Sequence, residues 1–415
     1  MLIKGMKMKK ISLIGATISG NKGSESMFQS AVQNIAHEIP DSVFYLFSYY
    51  PDRDSALNTN KNVVVCSGTP LKLATVYPFL GIASRLLSIL HIRPTFRRMD
   101  TDFAELLDSD LVVDLGGISF VDGREKYLPF NIACIFTPLL LGKRVMKYSQ
   151  ALGPFKNPVN RFFARLFLPR LDCIVARGDI TRSNLETLGL HNIVTGADSA
   201  FVLKPGDRAY QHAQEYLSPE FKKKTIVGIS PSSVIEQSCE NLNINYQQII
   251  ADFINYLITE EDCNVLLIPH SIRKYTLKRK NNDLVVCRRI QELVKQQNRC
   301  ILIADELSAE ELRAIISYCN FFIASRFHAM VSSLAMKVPT IVCGWSHKYR
   351  EVLRMFDMEG YAFDYKKLDT AVLIDMFHML RSTEEQVKRN FDIHLPEVNE
   401  SAGINATTAK NLLEV

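Results

Sequence analysis

The sequence predicts an α/β protein with two doubly wound, Rossmann-like domains that face each other across a cleft. Short apolar runs typical of buried strands alternate with longer, helical segments in both halves of the chain. A polar stretch at 204–224, with Pro205-Gly206-Asp207, Pro219 and Lys222-Lys223-Lys224, interrupts this alternation, which then starts again. The length of 415 residues also exceeds what one ordinary core accommodates.

The first half of the chain supplies the elements of one such domain. Strands are predicted at 9–14, 43–48, 62–66, 110–114, 144–149 and 171–176, and helices at 24–39, 128–141 and 178–188. Ser24 is suited to cap the first helix, and Gly189 to end the third. Because strand-like and helix-like segments alternate in this way, the strands are expected to lie mostly parallel.

The second half repeats the pattern. Strands are predicted at 225–230, 264–268, 300–303, 321–324 and 340–343, and helices at 246–259, 284–296, 308–318 and from 348 onward. We therefore expect an N-terminal domain at 1–204, a linker at 205–224, a C-terminal domain at 225–385, and a tail at 386–415 that could return to the first domain.

Composition limits the class of function. The net charge of +5 is mild, which does not indicate a nucleic-acid-binding protein. The nine cysteines form no Cys-x-x-Cys pair, so neither a zinc site nor a disulfide framework is expected. No apolar run approaches the length of about 18 residues that a membrane span requires, and we expect a cytoplasmic protein.

The segment Ser325-Arg326-Phe327-His328 lies between a predicted strand and a predicted helix. Helix N-termini favour anions, arginine binds carboxylate or phosphate with two parallel hydrogen bonds, and histidine exchanges protons near neutral pH. Arg326 and His328 are therefore candidates for an anion site. A capped helix with a solvated arginine and a structural histidine is the alternative.

Three further junctions of this kind lie in the first half. A glycine-rich loop containing Asn21 opens the first helix but lacks the spacing of a P-loop. Gly116 and Gly117 follow the fourth strand, where paired glycines leave room for a ligand. Arg177 ends another strand, and Asp179 could cap the next helix and hold Arg177. For each, a plain turn is an equally good interpretation.

The second half places several polar residues at one predicted sheet edge. His270, Trp345 and Lys348 follow strands of the same sheet as Arg326 and His328. The carboxyl ends of parallel strands share one edge, and ligands bind there in open α/β sheets. We therefore expect these five side chains to converge.

The order of these motifs resembles the polysaccharide pyruvyl transferase family. The resemblance covers about 11–355 and rests on nine short motifs: the Asn21 loop, Asp114-Leu-Gly-Gly, Gln150-Ala-Leu-Gly-Pro154, Arg177-x-Asp179-x-x-x-Ser183, Ala197-Asp198, Gly228-Ile-Ser, Pro269-His270 with Asn282-Asp283, Arg326-Phe-His-Ala, and Lys348 after Val338-Pro339. Two motifs depart from the family pattern. The family usually has a Gly-Asp-Glu-Ala-like run after the Asn, where this chain has Gly23-Ser24-Glu25-Ser26, and Ile118 stands where the family has a third glycine.

The resemblance implies a fold like that of the two-Rossmann (B-type) glycosyltransferases. It also implies that phosphoenolpyruvate (PEP) donates its enolpyruvyl group to two hydroxyls of a sugar in a capsule or exopolysaccharide precursor. A pyruvate ketal forms and phosphate leaves, with no metal and no cofactor besides the donor. The first domain would hold the acceptor and the second would hold PEP.

On this reading His328, Arg326 and Arg177 are the catalytic candidates, with His328 as acid and base. The substrate-binding candidates are Asn21, Gly116, Gly117, Gln150, Asp179, His270, Trp345 and Lys348.

Two alternatives remain open. A glycosyltransferase using a nucleotide sugar would share the fold, and fold alone does not separate the two activities. Stretches at 71–98 and 160–170 combine apolar and basic residues, which suits either core-facing helices or a peripheral contact with the inner face of the membrane. The second possibility would favour a lipid-linked acceptor or, as another class of function, a non-catalytic scaffold at the membrane.

Overall fold

Parallel strands form two separate sheets in the computed structural model, which describes residues 8–91, 96–273, 281–344 and 347–414. The first sheet consists of β1 (Lys9–Ile14), β2 (Ser42–Ser48), β3 (Val63–Ser67), β4 (Leu111–Asp114), β5 (Arg144–Gln150), β6 (Cys173–Arg177) and β7 (Ile193–Gly196). Their order is β3-β2-β1-β4-β5-β6-β7. The chain thus winds outward from β1 in one direction and then returns to wind outward from β4, as in a doubly wound sheet.

The second sheet repeats this winding. It consists of β8 (Ile226–Ser230), β9 (Asn264–Leu267), β10 (Cys300–Leu302), β11 (Phe321–Ala324), β12 (Thr340–Gly344) and β13 (Ala362–Asp364). The order β10-β9-β8-β11-β12-β13 reverses between β8 and β11, whose last residues Ser230 and Ala324 pair. Strands such as β11 are buried at every position, because helices cover both faces of the sheet. The predicted fold class, two doubly wound α/β domains, is confirmed.

The α-helices alternate with these strands. The first seven are α1 (Lys22–Glu38), α2 (Pro51–Leu57), α3 (Tyr77–Ile89), α4 (Thr101–Asp108), α5 (Leu128–Leu140), α6 (Pro158–Phe167) and α7 (Asp179–Glu186). The others are α8 (Asp207–Glu215), α9 (Ser233–Glu240), α10 (Tyr246–Thr259), α11 (Asp283–Leu293), α12 (Ala309–Ile316), α13 (Phe327–Ala335), α14 (His347–Arg354), α15 (Thr370–Ser382) and α16 (Glu384–Glu414). Helix α1 begins two residues before the predicted cap Ser24, because the Asn21 side chain accepts a hydrogen bond from the Gly23 amide (3.0 Å).

The chain divides into two compact units. The first comprises the chain up to Ser19, Met27–Leu203 and the chain from Asn399 on, and the second comprises Gly20–Ser26 and Lys204–Val398. The segment 205–224, predicted as a linker, contains α8, and the His212 side chain of α8 contacts Glu311 of α12 (2.6 Å). This segment is therefore packed within the second unit.

Two apolar cores lie on opposite sides of the first sheet. Neighbouring residues of β4 alternate between them, since Val112 packs in one cluster and Leu111 and Val113 in the other. Helices α1 and α16 cover the Leu111 side, whereas α3, α4, α5, α6 and α7 cover the Val112 side. The C-terminal residues of α16 are thus part of the first unit's core.

Candidate active site

Several of the predicted site residues lie at the carboxyl edge of the second sheet. The connections after β8 and β11 diverge at the point where the strand order reverses, and such a point leaves a crevice for ligands. Ser233 follows β8, His270 follows β9, and Arg326 follows β11. Their chain positions differ widely, so the winding of the sheet is what places them on one edge.

Arg326 lies at the start of α13 and pairs with the carboxylate of Asp283. Its Nε donates to Asp283 Oδ2 (2.8 Å) and its Nη2 donates to Asp283 Oδ1 (2.5 Å), which is a bidentate ion pair. Nη2 also donates to Ser233 Oγ (3.2 Å). These bonds fix the plane of the guanidinium and direct its remaining nitrogen, Nη1, away from Asp283.

The side chain of Asp283 is also fixed by burial and by more than one hydrogen bond. It is fully buried at the start of α11, and Oδ1 accepts a further hydrogen bond from the Ser233 amide (2.9 Å). Burial alone would lower the pKa of Arg326, but the adjacent Asp283 carboxylate outweighs it, and the pKa lies above the ordinary arginine value. Arg326 is therefore a permanent cation in a fixed orientation.

The segment Gly20–Ser26 packs against the same edge. The Lys22 amide donates to the His270 carbonyl (3.0 Å), and the Ile272 amide donates to the Gly20 carbonyl (2.9 Å). Asn21 is exposed, and its backbone forms an isolated antiparallel β-bridge with Ser271. The first turn of α1 is thereby fixed on the loop that follows β9.

This turn carries a buried ion pair. Lys22 Nζ lies 2.6 Å from Glu25 Oε2, and both side chains are about 2% exposed. Burial raises the pKa of the Glu25 carboxyl to about 7, although Lys22 acts in the opposite direction. Another cation, the fully buried Arg313 of α12, donates to Ser332 Oγ (3.3 Å) in the same unit.

His270 is buried among basic groups. Burial is the main cause that lowers its pKa to about 3, and the neighbouring His328, Arg326, Arg313 and Lys22 act in the same direction. His270 is therefore a neutral imidazole at physiological pH, and its Nδ1 has no hydrogen-bond partner among the described residues.

His328 lies in the first turn of α13, two residues after Arg326, and its imidazole packs on Gly23. A Cβ added to Gly23 would overlap Nδ1 of the ring and lie 2.8 Å from Cγ. Glycine at position 23 is therefore required by the histidine, since any other residue would displace the ring. His328, Arg326 and His270 come together as predicted, with Gly23 setting the position of the imidazole.

The equivalent edge of the first sheet contains a buried polar network. Lys147 Nζ contacts Asp114 Oδ2 (2.6 Å), Gln150 Oε1 (3.1 Å) and Ser119 Oγ (3.2 Å). The Gln150 amide nitrogen in turn donates to the Asp114 carbonyl (2.7 Å). Gln150 is fully buried and both ends of its amide are used within the protein, so it positions the loop after β4 in place of the expected substrate contact.

Gly116 and Gly117, which follow β4, lie beside this polar network. The Gly116 amide donates to Asp114 Oδ1 (2.9 Å), and a Cβ on Gly15 would approach the Gly116 nitrogen to 2.7 Å. Gly116 and Gly117 are both half-exposed. Two glycine loops thus pack closely, which keeps the backbone after β4 accessible at the sheet edge.

Arg177 ends β6 and is held by Asp198, not by Asp179 as expected. Its Nη1 donates to Asp198 Oδ2 and its Nη2 donates to the Gly117 carbonyl. The register of β6 against β7 pairs Arg177 with Gly196 and so brings Asp198 beside the guanidinium. Asp179 is exposed at the start of α7, whose N-terminal cap is Gly178.

Comparison with known proteins identifies the family. The family model for polysaccharide pyruvyl transferases matches residues 21–347, which is most of the chain. The chain belongs to the polysaccharide pyruvyl transferase family. It is therefore a transferase, and the family expected from the motifs is confirmed.

The chain is also similar to individual proteins in sequence and in fold. It is 21% identical over 398 residues to the amylovoran biosynthesis protein AmsJ of Erwinia amylovora, covering 91% of this chain and 93% of that protein. A Listeria monocytogenes protein assigned as a UDP-N-acetylglucosamine 2-epimerase superposes with a TM-score of 0.61 at 13% identity, covering 99% and 98% of the two chains. The Anabaena protein Alr3699/HepE, solved with UDP and glucose, gives 0.54 at 11% identity, covering 99% and 100%. These two structures share the fold of two doubly wound domains.

The two units of the transferase divide the predicted site residues between them. The second unit contains Asn21, His270, Arg326, His328 and Lys348, and the first contains Gly116, Gly117, Gln150, Arg177 and Asp179. Lys348 is half-buried in α14, and Trp345 lies outside the described residues. In the second unit, Arg326, His328 and His270 form one constellation with the first turn of α1.

Four buried charged residues of the two units were not predicted from the sequence. Lys22, Glu25, Arg313 and Lys147 were not selected, because lysine, arginine and glutamate are almost always exposed. One signal was available for Lys147. It lies within the apolar strand β5, and a lysine inside a buried strand requires a carboxylate partner on the adjacent strand. Asp114 on β4 is that partner.

Proposed function

We propose that the protein transfers the pyruvyl unit of PEP to two hydroxyls of a sugar in a surface-polysaccharide precursor. Both hydroxyl oxygens bond to the central carbon of PEP, whose bond to the phosphate oxygen breaks. One hydroxyl proton ends on the vinyl carbon, which becomes a methyl group, and the other leaves with phosphate. The product is a cyclic ketal of pyruvate, and no electron acceptor is needed.

The observation that carries this proposal is the fixed orientation of Arg326 at the carboxyl edge of the second sheet. PEP has a carboxylate and a phosphate, and both require fixed cations or helix N-termini. Arg326 is oriented by Asp283, and the N-terminus of α13 adjoins it. Two further buried cations belong to the same unit, Arg313 and Lys22, of which Lys22 is paired with Glu25. This arrangement supports the second unit as the PEP site.

His328 is the proposed acid and base. It lies two residues after Arg326 in the chain, and its ring is positioned by contact with Gly23. A proton must reach the vinyl carbon, and another must leave the attacking hydroxyl, for which imidazole is the usual group near neutral pH. Arg177, held by Asp198, is proposed to bind an anionic or hydroxyl group of the substrates on the first unit.

Incubation of the protein with PEP and a panel of galactose- and mannose-type acceptors tests this function. We expect phosphate release that depends on the acceptor, and a product heavier than the acceptor by pyruvate less one water. PEP should also raise the melting temperature, because a ligand of the folded state stabilises it. Stabilisation by nucleotide sugars without any effect of PEP would favour a glycosyltransferase and contradict the proposal.

Replacement of Gly23 by alanine should impair activity much more than it weakens the fold. The new Cβ would displace the His328 imidazole, and a misplacement of about 1 Å costs on the order of a hundredfold in rate. The overlap should lower stability by about 1–3 kcal/mol, which the helix preference for alanine partly offsets, so the protein should remain folded at the assay temperature. The rate of phosphate release from PEP measures the effect.

Gly360→Ala is the matched control, since it lies in the same unit and a Cβ there meets nothing within 4 Å. We expect wild-type rates for it. A Gly23→Ala enzyme as active as the control would show that the contact with Gly23 does not position His328 for catalysis.

A further inference from the structure

Helices α3, α5 and α6 present an apolar outer surface on the Val112 side of the first sheet. In α3 the side chains of Phe79, Leu86 and Ile89 are exposed, Phe79 to 70%. In α6 those of Val159, Phe162 and Leu166 are exposed, Phe162 to 62%. We call these six residues, with the outer side of α5 between them, the α3–α5–α6 face. Isolated exposed apolar residues are ordinary, but six on adjacent helices require an explanation.

The three helices form one continuous layer. Gly81 of α3 faces α5 closely, since a Cβ there would lie 3.1 Å from Leu140 Cδ2. Phe136 of α5 and Phe167 of α6 pack edge to face, with ring centroids 6.3 Å apart. All three helices bury their inner sides in the same core cluster. The exposed residues of α3 and α6 therefore flank α5, whose 13 residues include no charged side chain.

The charged residues within the two stretches of sequence that carry this apolar surface are all basic, although Asp122, outside them, bonds to Asn160 of α6. No aspartate or glutamate occurs from Leu71 to Met99 or from Leu128 to Leu171, whereas the first stretch contains Arg85 and the second contains Arg161, Arg165 and Arg170. These four arginines are exposed. In α6 the apolar residues at 159, 162 and 166 follow helical spacing and share one side of the helix, and Arg161 and Arg165 lie together on a neighbouring side.

We propose that the α3–α5–α6 face docks on a lipid bilayer that contains anionic headgroups. An amphipathic surface with aromatic and leucine side chains and with arginines beside them is the type that inserts at the boundary of headgroups and acyl chains. The absence of acidic residues from both stretches is the charge complementarity that an anionic surface requires. Among the described residues, no helix is long and apolar enough to cross a membrane, and this contact is a peripheral one.

Flotation of the purified protein with vesicles tests the proposal. We expect it to float with vesicles of phosphatidylcholine and phosphatidylglycerol, and to float much less with phosphatidylcholine alone. Raising the salt concentration should release it, since exposed charges are screened. Equal flotation with both kinds of vesicle, or with neither, would overturn the proposal.

Two variants separate the apolar contribution from the basic one. Phe79→Ser/Leu86→Ser/Ile89→Ser should reduce the partition coefficient on the order of a hundredfold, because it removes most of the insertable surface of α3. Arg161→Gln/Arg165→Gln should reduce it about thirtyfold on anionic vesicles. The matched control is Ile393→Ser/Arg389→Gln on α16, which changes an exposed apolar and an exposed basic residue elsewhere.

The control should bind as the wild type does, and all variants should retain the wild-type melting temperature. A control that loses vesicle binding to the same extent would refute a specific face. Sedimentation in the absence of lipid provides the other decisive outcome. If the wild type forms a dimer that the α3 variant abolishes, the face is occupied by a second copy of this chain and the bilayer proposal is wrong.

Discussion

Replacing His328 by alanine should lower kcat by about two to four orders of magnitude, the usual contribution of a general acid or base. The residue lies in the first turn of α13, and its ring packs on Gly23, which sets its position relative to Arg326. Alanine is a good helix residue, so the circular dichroism and the melting temperature should match those of the wild type. The measurement is steady-state phosphate release from PEP at saturating acceptor.

His378→Ala is the control for this experiment. His378 is an exposed histidine of the same unit, and its Nε2 lies 2.9 Å from Glu261 Oε1. We expect no more than a threefold change in kcat for it. If His328→Ala also remained within threefold of the wild type, histidine 328 would be excluded from proton transfer, and the acid would have to be another group.

Replacing Arg326 by lysine should damage both substrate affinity and stability, although the charge is kept. Lysine cannot make two parallel hydrogen bonds to Asp283, so the fully buried carboxylate would lose one of the two bonds that Arg326 donates, although Oδ1 keeps the Ser233 amide. The loss of a hydrogen bond to a charged group costs about 1.5–3 kcal/mol. We also expect at least a tenfold increase in the KM for PEP, because the fixed orientation of the cation is lost. Urea unfolding and steady-state kinetics measure the two effects.

Arg381→Lys provides the comparison. Arg381 also pairs with a carboxylate, that of Glu261, but its side chain is 52% exposed, and exposed pairs contribute about 0–1 kcal/mol. An Arg326→Lys enzyme with wild-type KM and stability would mean that the bidentate geometry has no role. Reduced stability with an unchanged KM would assign Arg326 to the fold alone.

Much of the fold could be predicted, because parallel strands buried on both faces leave continuous apolar runs that end at glycine or polar residues. The predicted strand at 321–324 coincides with β11, and the predicted strand at 9–14 coincides with β1. Strand β13 was not predicted, since the chain from 348 onward was expected to be helical, and helices α2, α4 and α9 were not predicted either. The three residues of β13 carry too short a pattern to distinguish from a loop.

The partners of the site residues could not be predicted in the same way. Arg177 was expected to pair with Asp179, two residues away, but the adjacent strand supplies Asp198. Arg326 pairs with Asp283, which is 43 positions earlier in the chain. Such pairings follow from strand order and register, which local sequence does not contain. The sequence indicated which charged residues lie at strand ends, but it did not indicate which carboxylate pairs with each of them.

The return of α16 to the first unit has a consequence for synthesis on the ribosome. Ala406, Ala409 and Leu413 complete the core beside β1, and Lys9 Nζ donates to the Leu413 carbonyl (3.2 Å). Most of the first unit is therefore translated first, but its core can be completed only after Lys204–Val398 and the residues from Asn399 on have been synthesised. A nascent chain arrested before Asn399 should resist protease in its later half and remain sensitive in its earlier one. Resistance of both halves at that length would show that the final turns are dispensable for closing the core.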